Sequence, residues 1–187
     1  MLTSFYSRDE LRTLGLKSFG EDVLISRKVS FYGEGTISIG DNVRIDDFCI
    51  LSGHIRLGSH IHISAYCALY GSNGIVMEDY SGLSSRAILY SAMDDFSGEY
   101  LIGPIHPNEL TNVTGGEILI KKYVQIGAGS IVFPAVTIGE GSVVGSLSLV
   151  KTDIEPWTVN AGIPTRRIRE RGHGLLQRLS DYKDVNE

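Results

Sequence analysis

Along residues 39–69 an aliphatic side chain returns at every sixth position: Ile39, Ile45, Leu51, Leu57, Ile63 and Leu69. A helix repeats at 3.6 residues and a plain strand at 2, so a period of six asks for another element. The frame runs backward through Phe31, Ile25 and Phe19, with one step of eight between Phe31 and Ile39. It runs forward to Met77, again by a step of eight, then to Leu83 and Leu89. After a break it resumes at Ile120, Ile126, Val132, Ile138, Val144 and Val150. These starts group into six triplets, each read as one coil of three short strands. Stacked, they form three apolar files: Phe19, Ile39, Leu57, Met77, Ile120, Ile138; Ile25, Ile45, Ile63, Leu83, Ile126, Val144; and Phe31, Leu51, Leu69, Leu89, Val132, Val150. Chance does not produce eighteen apolar matches in a chain that is 42% hydrophobic.

The shape that satisfies this pattern is an all-β solenoid of triangular section, its coils hydrogen-bonded to those above and below. Six coils at strand spacing make a prism roughly 29 Å tall. A file of small residues, Val29, Cys49, Cys67, Ala87, Ser130 and Ser148, falls four positions after each start in the middle file, where a corner leaves little room. Cys49 and Cys67 are expected to be small buried thiols, since two cysteines make no disulfide framework. Every irregularity follows the third strand of a coil, so one corner holds them all. The long one, loop 92–117, sits after coil 4 and is expected to be an ordered arm. Residues 1–18 are expected to form a helical cap, with Ser7 and Glu10 spaced as a capping box. The solenoid proper is placed at 19–155. Residues 156–187 form a tail and helix, with Leu175, Leu176 and Leu179 on one helical face. Such caps cover the unpaired ends of a solenoid.

The formal net charge of −5 gives no support to nucleic acid or an anionic membrane as the main partner. No apolar run is long enough to span a bilayer. The first residues carry acid and base where a secretion signal needs an apolar block, which points to the cytoplasm.

Two stretches, "IGAGSIVFPAVTIGEGSVVGSLSLV" (126–150) and "EPWTVNAGIPTRRIRER" (155–171), resemble the hexapeptide-repeat acyltransferases. The chain looks most like the galactoside, maltose and surface-polysaccharide O-acetyltransferases among them. The resemblance implies a left-handed parallel β-helix and a homotrimer with active sites between subunits. It implies acetyl-CoA as the acyl donor, lying in the groove between two prisms. The acceptor, a saccharide or nucleotide-sugar, would lie under the loop. A trimer would also cover outward apolar residues such as Tyr66, Tyr70 and Ile88.

Moving an acyl group from a thioester to a hydroxyl needs a base, oxyanion donors and a cradle for the cofactor. In galactoside-type relatives the catalytic histidine follows the third strand before the loop. Asp94 stands at that place here. His62 becomes the leading candidate base: it precedes the inward Ile63 and points outward. Laid on the family pattern, residues 62–66, with Tyr66, line the acceptor pocket of a neighbouring subunit. Asp94 or Asp95 would then orient the imidazole across the interface. His106, in the loop, could reach the same pocket. His54 and His60, at corners, and His173, in the cap, are expected to be solvated. Ser84, Ser85 and Tyr90 fall near the cleft as candidate acceptor contacts.

For the cofactor the family pattern points to Gly127, Ala128, Gly129, Gly145 and Ser146 along the pantetheine arm, where small residues admit close approach. Ala161, Gly162 and Pro164 would meet the adenine end, and Arg166 and Arg167 the phosphates. Direct transfer in a ternary complex follows, with a backbone N–H of coil 5 or 6 as oxyanion donor. The close variant is an N-acetyltransferase acting on an amino-sugar nucleotide. A metal-dependent hydratase on the same prism needs three converging histidines. The spacing of His54, His60 and His62 does not supply them, so no metal is expected. A non-catalytic scaffold would need neither the loop nor the arginine-bearing tail.

Overall fold

The computed structural model describes residues 4–33 and 35–186. They form a parallel β-solenoid of about seven turns. Strand pairing links each coil to the next in the register that the period of six requires, for example Ile45 beside Ile63 and Ile63 beside Leu83. Sixteen of the eighteen file positions are buried, and Phe19 and Phe31, in the end coil, are half-buried against them. The small-residue corner file is buried throughout, and both cysteines are free thiols. Cys49 Sγ and Cys67 Sγ donate to the carbonyls of Ser64 and Ser84 at 3.1 and 3.2 Å. Burial, after a hydrogen bond with Cys67, pushes the Cys49 thiol well up, so it stays protonated.

The ladder continues past residue 155. Ile154 bridges Ile138, and Asn160 pairs beside Val144, which starts a seventh turn. Asn160 occupies an interior position where earlier coils carry aliphatic residues, and its side-chain amide donates to Thr158 Oγ1 at 2.8 Å. The chain then doubles back: Arg166–Glu170 pairs antiparallel with Thr158–Ala161 and covers the open edge. At the other end helix α1 (Arg8–Leu11) carries the expected Ser7–Glu10 capping box, and Leu11 plugs the core. In helix α2 (Gly174–Asn186), Leu175 and Leu179 pack half-buried while Leu176 turns outward. Among the described residues no helix is long and apolar enough to cross a membrane.

The corners hold what the interior period does not reveal. A residue in the left-handed region recurs three places before an interior position, as at His60, Tyr80, Tyr123 and Trp157 in one file and Phe48, Tyr66, Arg86 and Leu147 in another. Side chains at successive corners lie over one another. His60 stacks on Tyr80 at 4.5 Å and Tyr80 on Tyr123 at 5.5 Å. In the second file Phe48 stacks on Tyr66 at 5.0 Å. Aromatic stacking of this kind contributes about 0.5–1.5 kcal/mol per pair. It offsets part of the cost of a left-handed non-glycine residue, about 1–2 kcal/mol.

Candidate active site

The long loop is an ordered arm. Its base closes as a hairpin in which Ala92–Asp94 pairs antiparallel with Val113–Gly115. Asp95 locks the next turn: its carboxylate accepts from the Ser97 N–H at 2.6 Å and from Asn112 Nδ2 at 2.7 Å. Hydrogen bonds from Ser97, then from Asn112, hold that carboxyl below its usual range. These bonds give Asp95 a loop-fixing role.

Between the arm and the third face of the prism lies a cavity of about 530 Å³. Tyr70 and Tyr90, stacked at 5.1 Å, form one wall, and Met93, Pro104 and Val113 add apolar surface. Asp94 brings a carboxylate and His106 an imidazole to it, and Asp94 Oδ1 accepts from the Gly103 N–H at 3.3 Å. The structure therefore brings together three expected residues: Tyr90, Asp94 and His106.

His62 lies on the second face, outward as expected. Its Nε2 meets Asp46 Oδ2 at 2.8 Å, and Arg44 Nε donates to Asp46 Oδ1 at 2.7 Å. Burial raises the Asp46 pKa, but the bonds from His62 and Arg44 outweigh it and leave the carboxyl below its usual range. The carboxylate that holds His62 within the chain is thus Asp46, a residue the sequence reading missed. Among the described residues no hydrogen bond or ion pair joins His62 to Asp94 or Asp95. Asp46 lies sixteen residues before His62 in the neighbouring coil, so stacking the coils on paper would have revealed the pair. On the next rungs Gly82 lies beside His62, and Ser84 Oγ meets Gln125 Nε2 at 3.1 Å. Ser85 turns the corner, its carbonyl accepting from Gly129 N. Tyr66 is half-exposed on the corner file.

The expected cofactor segment forms the adjoining edge of the upper coils. The N–H groups of Gly127, Gly129 and Gly145 are spent on neighbouring coils. Those of Ala128 and Ser146 have no partner among the described residues, which leaves them as donors for a ligand. Gly162 takes φ of 109° and Ile163–Pro164 is cis, which turns the chain into the antiparallel strand. Arg166 faces a cavity of about 360 Å³ with Asn160 and Thr165. Arg167 differs: it pairs with Glu155 at 3.0 Å and with Glu170, so its charge is already balanced. Among the described residues no three side chains of His, Cys, Asp or Glu converge on a possible metal position.

No family model matches the chain. The dTDP-4-amino-4,6-dideoxy-D-glucose acyltransferase of Escherichia coli is 47% identical over 177 residues, 93% of this chain and 92% of that one. The chain belongs to the hexapeptide-repeat acyltransferase family. Like other members, it is an acyl-CoA-dependent acyltransferase. Within the family, the galactoside O-acetyltransferase of E. coli is 30% identical over 162 residues, 78% of this chain and 70% of that one. The N-acyltransferase AntD of Bacillus cereus, solved with dTDP and 3-hydroxybutyryl-CoA, is 50% identical over the whole of both chains, with a TM-score of 0.95. Its S84C variant was solved with dTDP-4-amino-4,6-dideoxyglucose and coenzyme A, and its D94A variant with dTDP and coenzyme A.

Proposed function

We propose that this enzyme transfers an acyl group from acyl-CoA to the amine of a dTDP-linked amino-dideoxy sugar, at sites formed between the copies of a trimer. The observation that carries the reading is Asp94, opening into the cavity under the arm beside His106 and Tyr90. The first of the two acceptor classes, a sugar hydroxyl, is a poor nucleophile until it loses its proton, which suits imidazole as base. An amine attacks with its own lone pair, and its proton becomes acidic only as the C–N bond forms. A carboxylate, intrinsically a weaker base than imidazole, is sufficient to take that proton. The amine nitrogen adds to the thioester carbonyl, a proton passes to Asp94, and the C–S bond breaks with its electron pair leaving on sulfur. The coenzyme A thiol then takes up a proton.

Similarity to two dTDP-amino-sugar acyltransferases over nearly the whole chain supports the acceptor class. The positions varied in AntD carry the numbers of Ser84 and Asp94 here, which supports placing both at the reacting amine. Tyr90 and His106 would contact the sugar, and Ser85 and Tyr66 would lie near it. His62, steadied by Asp46, would be presented by an adjacent copy. The N–H groups of Ala128 and Ser146 would hold the pantetheine arm or the oxyanion. Ala161, Gly162, Pro164 and Arg166 would meet the nucleotide end of the donor, with Arg167 held by its two glutamates.

The test is thiol release from acetyl-CoA and 3-hydroxybutyryl-CoA with dTDP-4-amino-4,6-dideoxyglucose or a simple galactoside as acceptor. The amino sugar should be the one consumed, and Asp94→Ala should lower kcat by about 10²–10⁴. Turnover of the galactoside alone, or full activity in the variant, would overturn the assignment.

A further inference from the structure

Arg86 is an arginine that neither the sequence pattern nor the catalytic scheme uses. It projects from the corner two residues after Ser84, with its backbone at φ of 64°. Its guanidinium lies 5.2 Å from the centre of the Tyr66 ring, and Tyr66 is itself stacked on Phe48. Arg44, Lys28 and Arg167, by contrast, are each paired with a carboxylate, Asp46, Asp47 and Glu155 in turn. Arg86 is exposed and has no carboxylate within ion-pair distance among the described residues.

The way it is held matters. The contact with the ring spends no hydrogen bond, and among the described residues no hydrogen bond or ion pair engages the guanidinium, so its N–H donors remain available. Contact with the ring also limits the side chain's motion, which reduces the entropy lost on binding. The next corner in the file is Gly129, and Leu147 of the corner beyond leans over it, its Cδ2 2.8 Å from where a Cβ would stand. The unpaired fork of Arg86 matches the two oxygens of a phosphate.

We propose that Arg86 binds the diphosphate of the nucleotide-sugar acceptor. The inference rests on the proposed acceptor class and adds a residue that selects for a nucleotide-linked sugar over a free one. Two phosphate sources share the site chemistry, the acceptor and coenzyme A. The position of Arg86 next to Ser84, at the reacting end of the cleft, favours the acceptor. The expected donor-phosphate segment, 161–167, lies coils away beyond Leu147.

Arg86→Gln and Arg86→Lys test this, with KM measured separately for the dTDP-amino sugar and for acyl-CoA, and with dTDP binding followed by calorimetry. Arg86→Gln should raise the acceptor KM and the dTDP Kd about tenfold or more, as expected for a lost charge-assisted hydrogen bond. The acyl-CoA KM should stay within about twofold. Arg86→Lys should fall between the two, keeping the charge without the fork. An unchanged acceptor KM, or a rise confined to acyl-CoA, would overturn the inference while leaving the acceptor class intact. A wild-type enzyme that neither binds dTDP nor consumes the amino sugar would remove the acceptor class and the inference with it.

Discussion

Gly127 sits where two demands meet, the stacking of coils 5 and 6 and the expected cradle for the pantetheine arm. Replacing it by alanine separates them. A Cβ at this position would lie 2.5 Å from Ser146 N, 2.7 Å from the Gly145 carbonyl carbon and 2.8 Å from Val144 O. All three are backbone atoms of the next coil, so no side-chain rotation relieves the overlap. Non-bonded heavy atoms sit best about 3.5–4.0 Å apart, so the coils must part locally by most of an ångström. Overpacking of this kind costs about 1–3 kcal/mol. The loss of glycine freedom in the unfolded chain returns about 0.4–1 kcal/mol. The net is about 1–2 kcal/mol, which in a chain of this length lowers Tm by about 2–8 °C. Thermal unfolding of Gly127→Ala against wild type measures it. Gly172→Ala, whose Cβ would meet nothing within 4 Å, serves as the control and should melt with wild type or slightly above. If Gly127→Ala melts with the control and only its acyl-CoA KM rises, the glycine serves the cofactor alone and the steric reasoning fails.

Ile63, fully buried in the middle file, should cost about 2–5 kcal/mol when cut to alanine. Denaturant unfolding checks this, and the same cut at half-buried Phe31 in the end coil should cost less than its greater size suggests. The Glu10 carboxyl is held at about 2, chiefly by the Arg27 guanidinium and then by Ser7. Its folded pKa is depressed from 4.5, so its contribution is complete above that value and fades as pH falls toward 2. Limited proteolysis of the N-terminal cap should therefore accelerate between pH 5 and pH 3, and Glu10→Gln should show fast cleavage at both; an equal rate for wild type at both would refute the link.

What was legible in the sequence was the interior. Each strand contributes one inward residue per six, so the period records the core directly, and it placed Ile25, Ile63 and Val144 in one file without coordinates. The loop was legible for the same reason, as an interruption of that period. The corners were not. A left-handed corner position tolerates Asn, His, Tyr, Arg and Trp here, and only stacking coil on coil shows that Tyr66 carries Arg86.

The site follows the same division. Asp94 stood out in the sequence because the family pattern expects a histidine there, but its surroundings depended on how the arm folds. The arm turns Asp94 into the cavity and spends Asp95 on its own turn, a difference that two adjacent identical residues cannot reveal in sequence. His62 was expected to need a carboxylate and has one, supplied by the coil below. That arrangement frees Asp94 from orienting an imidazole within its own chain. A base for a hydroxyl acceptor needs such an orienting partner, and the His62–Asp46 pair would meet that need as well. The proposed amine acceptor rests instead on Asp94, a carboxylate open to the cavity and sufficient to take the proton an amine gives up.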